Sequence, residues 1–307
     1  MKLSIVIPLF NERESLSPLA EAIASALKPL DLSYEIIFVD DGSTDGSFEV
    51  IRSLRSAGKL NMRAFRFGRN YGKAAALSVG IGHAQGEIIV TMDADLQDDP
   101  AAIPDLLKKL DEGYDLVSGW KKVRHDPASF KVPSRIWNWA TSIVAGVKLH
   151  DFNCGLKAYR SAAAKGLEIY GERHRYLPVL AYWDGWRVAE IPVTHHERRF
   201  GRSKYGFSKF VKGFLDLLTL IFLRRYLHSP LHFFGLVGML LIFLGTAVLG
   251  YFGVQWIATG AMRIRPLTLL SLGAVIVGIQ FLSFGFLAEM LAHVSARPQY
   301  TIRETLV

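Results

Sequence analysis

Cysteine is almost missing. The 307-residue chain carries only Cys154, so it can form neither an internal disulfide nor a cysteine-built zinc site. The opening residues are not expected to be a secretory leader. In MKLSIVIPLFNE the apolar stretch is short, Pro8 interrupts it, and Asn11 and Glu12 stand where cleavage needs small residues. A buried first strand explains the stretch better, and the N-terminal domain is expected to begin in the cytoplasm. Charge is missing from two long C-terminal runs: neither His232–Ile257 nor Pro266–Leu287 contains Asp, Glu, Lys or Arg. Each exceeds the roughly 20 apolar residues that cross about 30 Å of hydrocarbon. Two transmembrane helices are therefore expected, at about 232–257 and 266–291.

What is present is a basic, half-apolar chain. Net charge is +8, hydrophobic residues make up 50%, and the mean hydropathy is +0.21. The charge suits nucleic acid, an anionic membrane surface or phosphate-bearing small substrates, and does not by itself choose among them. Basic residues flank the apolar runs unequally. Lys212, Arg224 and Arg225 precede the first and Arg297 and Arg303 follow the second, against Arg263 and Arg265 between them. That bias places both termini in the cytoplasm. Phe207–Tyr226 is apolar at most positions but carries Lys209, Lys212 and Asp216, which reads as an interfacial helix. Ala274 and Gly278 form a small-residue pair suited to helix packing.

Residues 1 to about 115 alternate between two patterns. Leu3–Pro8, Tyr34–Val39 and Glu87–Met92 are short apolar runs that end in polar clusters. Ser15–Leu27, Ser47–Ala57 and Gly72–Ala84 are helical between them. Such alternation predicts a parallel α/β sheet, whose ligands bind at the carboxyl ends of the strands. Asn11-Glu12, Asp40-Asp41-Gly42-Ser43 and Asp93-Ala94-Asp95 fall at three of those ends. A further strand is expected at Arg187–Val193.

The acidic clusters carry the chemistry. If the third strand runs on, Asp93, Asp95 and Gln97 share one face, an oxygen set suited to Mg²⁺ or Mn²⁺ shared with substrate phosphates. Asp40 and Asp41 repel each other unless donors bind them, and a base N–H and ribose hydroxyls would serve. Asp45 or Ser47 can cap the following helix. Gly80, Gly82 and Gly86 follow a helix and precede a strand, the reverse of a dinucleotide-binding loop, so close packing is expected there. The basic set Lys121, Lys122, Arg124, Arg135, Arg198, Arg199, Arg202 and Lys204 lies between the acidic domain and the apolar runs. There it can bind an anion and meet lipid headgroups. Nucleic acid is not expected as a partner, because an acidic rim repels a phosphate backbone. His195 and His196 face opposite ways on a strand and are expected in surface or supporting roles.

VIPLFNE at 6–12, VDDGSTDGS at 39–47, NYGK at 70–73, DADLQ at 93–97 and RRFGRSK at 198–204 together resemble the polyprenyl-phosphate glycosyltransferases of glycosyltransferase family 2. These include dolichol-phosphate mannosyltransferase and bacterial undecaprenyl-phosphate glucosyltransferases. The resemblance implies an α/β GT-A (Rossmann-like) catalytic domain at 1–205, interfacial helices at 206–228, two transmembrane helices within 229–294 and a tail at 295–307. It implies an inner-membrane enzyme with its catalytic domain and termini in the cytoplasm. The reaction implied is inverting, metal-dependent transfer of a sugar from a nucleotide-sugar to polyprenyl phosphate, with Mg²⁺ or Mn²⁺. Glucose from UDP-glucose is the first expectation, with N-acetylglucosamine, mannose or aminoarabinose as alternatives.

Carried over by motif, Pro8, Phe10, Glu12, Asp40, Asp41, Lys73 and Asp93 would line the nucleotide pocket. Asp93, Asp95 and Gln97 would hold the metal. Lys121, Arg124, Arg135, Arg198, Arg202 and Lys204 would bind the acceptor phosphate, although a lysine at 121, where relatives carry arginine, weakens any bidentate contact. Asp95 and Asp151 would be catalytic. A homo-oligomer, a tetramer, is implied by resemblance alone. A processive polysaccharide synthase is disfavoured by the missing Q-x-x-R-W motif and by too few spans. A catalytically inactive membrane-associated binding protein is the alternative of a different class.

Overall fold

The computed structural model describes residues 2–58, 60–122, 138–139, 141–143, 145–169, 173–196, 219, 222, 229–260 and 266–294. The chain divides into two units, 1–208 with 303–307, and 209–302.

The first unit is built on seven strands: β1 (Leu3–Leu9), β2 (Tyr34–Asp40), β3 (Met62–Arg66), β4 (Ile88–Thr91), β5 (Leu116–Lys121), β6 (Lys157–Arg160) and β7 (Val188–Val193). They lie in the order β3-β2-β1-β4-β6-β5-β7. The β1–β2, β2–β3, β1–β4 and β5–β7 pairs are parallel, whereas β6 runs antiparallel to both neighbours. The all-parallel expectation therefore holds for the first half and gives way to a mixed sheet beyond β4.

Helices cover both faces, which is why β1 is buried at every position. Strand alternation sends Leu3, Ile5, Ile7 and Leu9 into one core, against α1 (Leu16–Leu27), α2 (Ser47–Ser56) and α4 (Ile103–Asp111). Val6 enters the other, with α3 (Lys73–His83), α5 (Ser161–Gly166) and α6 (Leu177–Trp183). Gly80 lets α3 sit against the sheet, since a Cβ there would lie 2.3 Å from Val6 Cγ1. A Cβ on Gly86 would lie 2.6 and 2.7 Å from the backbone of Ser4 and Leu3, while Gly82 faces open space.

The second unit holds α7 (Pro230–Thr259) and α8 (Pro266–Val294), with mean hydropathies of 2.3 and 2.1 over their most apolar stretches. At 1.5 Å per residue, each is about 45 Å long, so both could span a membrane. The hairpin is closed by small residues: a Cβ on Gly238 would lie 2.7 Å from the carbonyl of Gly278, and the reverse holds too. Gly278 is thus where the sequence places a packing residue, and its partner is a glycine on α7. Glu289 Oε2 accepts from the Leu231 amide at the start of α7 (3.2 Å). The expected interfacial segment at 206–228, apart from Thr219 and Phe222, and the tail at 295–307 lie outside the described residues.

Candidate active site

The loops after β1 and β2 are joined through side chains. Asn11, at φ +57, accepts from the Thr44 amide through Oδ1 (2.9 Å), and its own amide donates to Ser43 Oγ (2.8 Å). The Glu12 amide donates to Ser47 Oγ (3.1 Å) and the Arg13 amide to Asp45 Oδ2 (3.1 Å). Asp45 Oδ1 accepts from the Ser47 amide and hydroxyl at 3.0 and 2.6 Å, a turn that leads into α2. The N-cap itself is Gly46, without a side-chain bond, so neither Asp45 nor Ser47 is the cap expected. Gly42 turns at φ +77, and a Cβ there would meet the Arg69 backbone at 2.6 Å. No other residue fits that close approach in a left-handed turn.

The donors that let Asp40 and Asp41 sit side by side are the chain's own. Asp41 accepts from the amides of Tyr71 (2.7 Å) and Gly72 (2.9 Å), which fixes the entry to α3. Asp40 Oδ1 accepts from the Ser43 amide (2.8 Å). Its Oδ2 is buried with no hydrogen bond among the described residues, and Arg66 Nε lies 3.4 Å away. Pro8 is buried at the end of β1; Phe10 and Glu12 are half-buried beside it.

β4 ends at Thr91, so the DADLQ segment is a turn and the expected continuation of a strand face fails. The chain turns at Ala94 and Asp95, and Leu96 follows at φ +62, a left-handed conformation rare for a bulky side chain, so the three residues are not on one extended face. Gln97 donates its amide to Asp95 Oδ1 (3.2 Å). Asp93 is ion-paired with Lys73 from the start of α3, which brings the NYGK and DADLQ motifs together. Burial alone would raise the Asp93 pKa, but Lys73, Lys121 and Lys157 hold its carboxyl well below the usual carboxylate range.

Residues that the sequence did not single out complete the site. Asp98 is 1% exposed, its Oδ2 has no hydrogen bond among the described residues, and Lys121 Nζ lies 3.1 Å from its Oδ1. Burial works against the charge on Lys121, yet Asp98 and Asp93 raise its pKa above the ordinary lysine value. His195 Nδ1 lies 3.1 Å from the Gln97 carbonyl, and His196 Nε2 lies 3.3 Å from Asp99 Oδ2. The histidine pair thus braces the turn from β7, a supporting role as expected. Gly155 lies between Asp93 and Asp98: a Cβ on it would come within 2.7 Å of a carboxylate oxygen of each.

Asp151 is buried and accepts from the Asn153 amide through Oδ1 (3.0 Å). Its neighbour His150 is tied to β7 twice, by its amide to Glu190 Oε2 (2.8 Å) and by Nδ1 to Glu190 Oε1. The His150 ring also stacks on Trp120 with centroids 4.2 Å apart. Of the expected acceptor-phosphate residues, Lys121 is engaged with Asp98, while Arg124, Arg135, Arg198, Arg202 and Lys204 lie outside the described residues. Among the described residues no three His, Cys, Asp or Glu side chains gather closely enough to hold an ion unaided.

A family model described as glycosyl transferase family 2 matches residues 4–167. Two curated relatives match nearly the whole chain. Dodecaprenyl-phosphate galacturonate synthase of Rhizobium johnstonii is 38% identical, covering 99% of this chain and 93% of its own. Undecaprenyl-phosphate 4-deoxy-4-formamido-L-arabinose transferase of Edwardsiella ictaluri is 34% identical, covering 99% and 94%. Among solved structures, glucosyl-3-phosphoglycerate synthase from Mycobacterium tuberculosis, with Mn²⁺, uridine diphosphate and phosphoglyceric acid, is similar at TM-score 0.56. It is 19% identical and covers 73% of this chain and 78% of that one. A mannosyltransferase from Pyrobaculum calidifontis, with GDP-mannose and Mn²⁺, is similar at TM-score 0.51, 18% identity, 96% and 76% coverage. The likeness in structure is one of fold: the mixed sheet described above is GT-A-like.

Proposed function

The chain belongs to glycosyltransferase family 2, and on that premise we propose that it transfers a sugar from a nucleotide-sugar to the phosphate of a polyprenol at a membrane. The observation that carries the proposal is the placement of Asp40 and of the Asp93–Asp98 turn at the carboxyl ends of the parallel strands β2 and β4, with Lys73 paired to Asp93 and Lys121 to Asp98. The near full-length match to two enzymes named for polyprenyl-phosphate products supports the acceptor. The apolar helices α7 and α8 support a membrane location, and the flanking basic residues support cytoplasmic termini. Glucose is displaced as first choice, because those relatives are named for galacturonate and for 4-deoxy-4-formamido-L-arabinose.

The acceptor needs little activation. A phosphate monoester has a second pKa of about 6 and is largely dianionic at neutral pH. Position and charge supply most of the rate. Asp40 and Asp41 shape the nucleotide pocket, Asp41 by fixing the turn into α3. Asp93 and Asp95 at the turn would hold Mg²⁺ or Mn²⁺ through hard oxygen donors. Such an ion would supply positive charge to offset that of the departing diphosphate. Lys73 lies beside Asp93, where it can neutralise the same group. Asp151, set by the His150–Glu190 tie, orients the acceptor rather than taking a proton. Asp151→Asn should lower kcat with an unshifted pH profile; loss of one carboxylate limb from the profile would make it the base.

The reading is tested by incubating the detergent-solubilised full-length chain with undecaprenyl phosphate and radiolabelled UDP- and GDP-sugars, with Mg²⁺ or Mn²⁺ and with EDTA. A labelled lipid that disappears with EDTA is expected. Folded protein that labels no lipid from any donor would return the chain to the class of inactive binding proteins.

A further inference from the structure

A narrow pocket opens beside the Asp93 turn, with Lys73, Asp93, Asn153, Gly155, Lys157 and His174 among its walls. It admits little more than a water-sized group. Two side chains on its wall have needs that the protein leaves unmet. Lys157 is 3% exposed, on a strand between β4 and β5. Its Nζ donates to the Cys154 carbonyl, yet among the described residues no carboxylate lies within 4 Å of it. Asp93 is taken by Lys73, and Asp98 by Lys121. His174 presents a buried Nδ1 with no hydrogen-bond partner among the described residues. Burial and the charge of Lys73 pull the Lys157 pKa down while Asp151 and Asp93 act against them, so its cation has carboxylates nearby but none in contact. A buried ring nitrogen without a partner is costly. One small anion entering the pocket satisfies both.

We propose that Lys157 and His174 form a carboxylate-recognition site for the transferred sugar, so that the enzyme's donor is a nucleotide-linked uronic acid. The assignment rests on the sugar-transfer reading above and adds the substrate class. The pocket adjoins Asp93, at the turn proposed to hold the donor diphosphate, so a sugar seated there can extend a substituent into it. A C6 carboxylate accepts from both Lys157 and His174 and gives Lys157 an ion pair in direct contact. A neutral hydroxymethyl or formamido group gives it none. Burial and the nearby Lys73 and Arg175 hold the His174 pKa down to about 3, so the ring is neutral and offers one N–H. The donor's own diphosphate is the other anion that could enter, and the pocket's narrowness disfavours it.

The experiment compares UDP-galacturonate, UDP-galactose and UDP-4-deoxy-4-formamido-arabinose, each as a donor and as a binding ligand. The full-length protein is used in detergent, with thermal-shift titration for binding and UDP alone as reference. The expected result is a kcat/KM for UDP-galacturonate at least about 100-fold above that for UDP-galactose, because a site built around a polar group strongly rejects the analogue lacking it. Lys157→Met and His174→Phe should each reduce that ratio about tenfold or more. If Lys157→Met does not fold, His174→Phe alone carries the test. Transfer of the neutral hexose or the formamido sugar at equal or higher efficiency overturns the carboxylate site while leaving the reaction class intact. Equal weakening of UDP and UDP-galacturonate by the variants overturns it in favour of diphosphate binding. If no donor is used at all, the transfer reading fails, and the binding arm still decides. UDP-galacturonate binding no tighter than UDP-galactose rejects the site, whereas a preference lost in the variants supports it.

Discussion

Glu35 begins the buried part of β2 and Asp40 ends the strand, and both side chains are shut off from solvent, at 1% and 0% exposure. At the amino end every oxygen of Glu35 is used. Oε1 accepts from Ser4 Oγ (2.6 Å) and the Gln85 amide (2.8 Å), and Oε2 accepts from Arg63 Nε (2.8 Å). Ser4 in turn accepts from the Gly86 amide (2.8 Å). At the carboxyl end Asp40 Oδ2 and Asp98 Oδ2 are buried without hydrogen bonds among the described residues. Buried acceptors normally find donors. One end of the sheet has spent its polar capacity on holding the fold, and the other keeps capacity that a ligand can use. Stability and activity can therefore be separated along one strand, since a buried carboxylate serves each at opposite ends.

Asp93→Asn should show the largest effect. It removes an anionic oxygen at the proposed diphosphate site, and transfer should fall about 1,000-fold, or about 4 kcal/mol of activation free energy. Thermal stability should change little, because the Asp93–Lys73 pair is partly open to water (31% and 33% exposed). Glu35→Ala should do the opposite. Ser4, the Gln85 amide and Arg63 all lose their acceptor, at a cost of about 3 kcal/mol of stability, while kcat per folded molecule stays within about twofold. Urea or thermal denaturation alongside initial rates checks both. An Asp93 variant that unfolds, or a Glu35 variant that is stable but inactive, would break the division between the two ends.

The sequence revealed the two ends unequally. β1, β2 and β4 were legible because both of their faces are buried and their apolar runs are continuous. β3, MRAFR, interleaves Arg63 and Arg66 with apolar residues at the sheet edge, and β6, KAYR, opens on buried Lys157; neither reads as an apolar run. The Asp40-Asp41 and Asp93–Gln97 clusters stood out because acidic residues follow apolar strands. Their geometry did not, since nothing in the letters marks Leu96 for a left-handed backbone. Gly155 meets Asp98 on one side and shares a pocket with Lys157 and His174 on the other, and β6 running antiparallel between β4 and β5 is a long-range arrangement that local pattern does not carry. Lys157 stands beside Leu156, Ala158 and Tyr159, and a lysine among apolar neighbours was the available signal.

A glycine stands at each end, and alanine at each sharpens the comparison with a smaller effect. A Cβ on Gly86 would meet backbone atoms of Ser4 and Ile88 at 2.6 and 2.7 Å. Backbone has nowhere to go, so Gly86→Ala should cost about 2 kcal/mol of stability. A Cβ on Gly155 would meet the Asp93 and Asp98 side chains at 2.7 Å. Those carboxylates can swing aside, so Gly155→Ala should lose less stability, about 1 kcal/mol, and about 10- to 100-fold in transfer rate. Equal stability losses with unchanged activity at Gly155 would mean that the rim tolerates displacement and is not poised for a ligand.

The smallest expected effect concerns acid. Burial pushes the Glu35 carboxyl up, but hydrogen bonds from Ser4, the Gln85 amide and Arg63, with the Arg63 charge, outweigh it and hold the pKa below its ordinary 4.5. A carboxyl depressed by folding stabilises the fold above its unfolded pKa, and that contribution is lost as pH falls through the lower folded value. The wild-type melting temperature should therefore decline as pH drops below about 4.5. Glu35→Gln, which has no charge to lose, should start lower at neutral pH and decline less steeply. The two curves should converge by a few degrees, on a scale of about 2–4 °C per kcal/mol for a domain of this size. Arg63→Met should flatten the curve in the same direction, since it removes a donor and the cation that favour the ionised form. Parallel curves for wild type and Glu35→Gln would mean that Glu35 is protonated in the folded protein, and the amino end would then be no better satisfied than the rim.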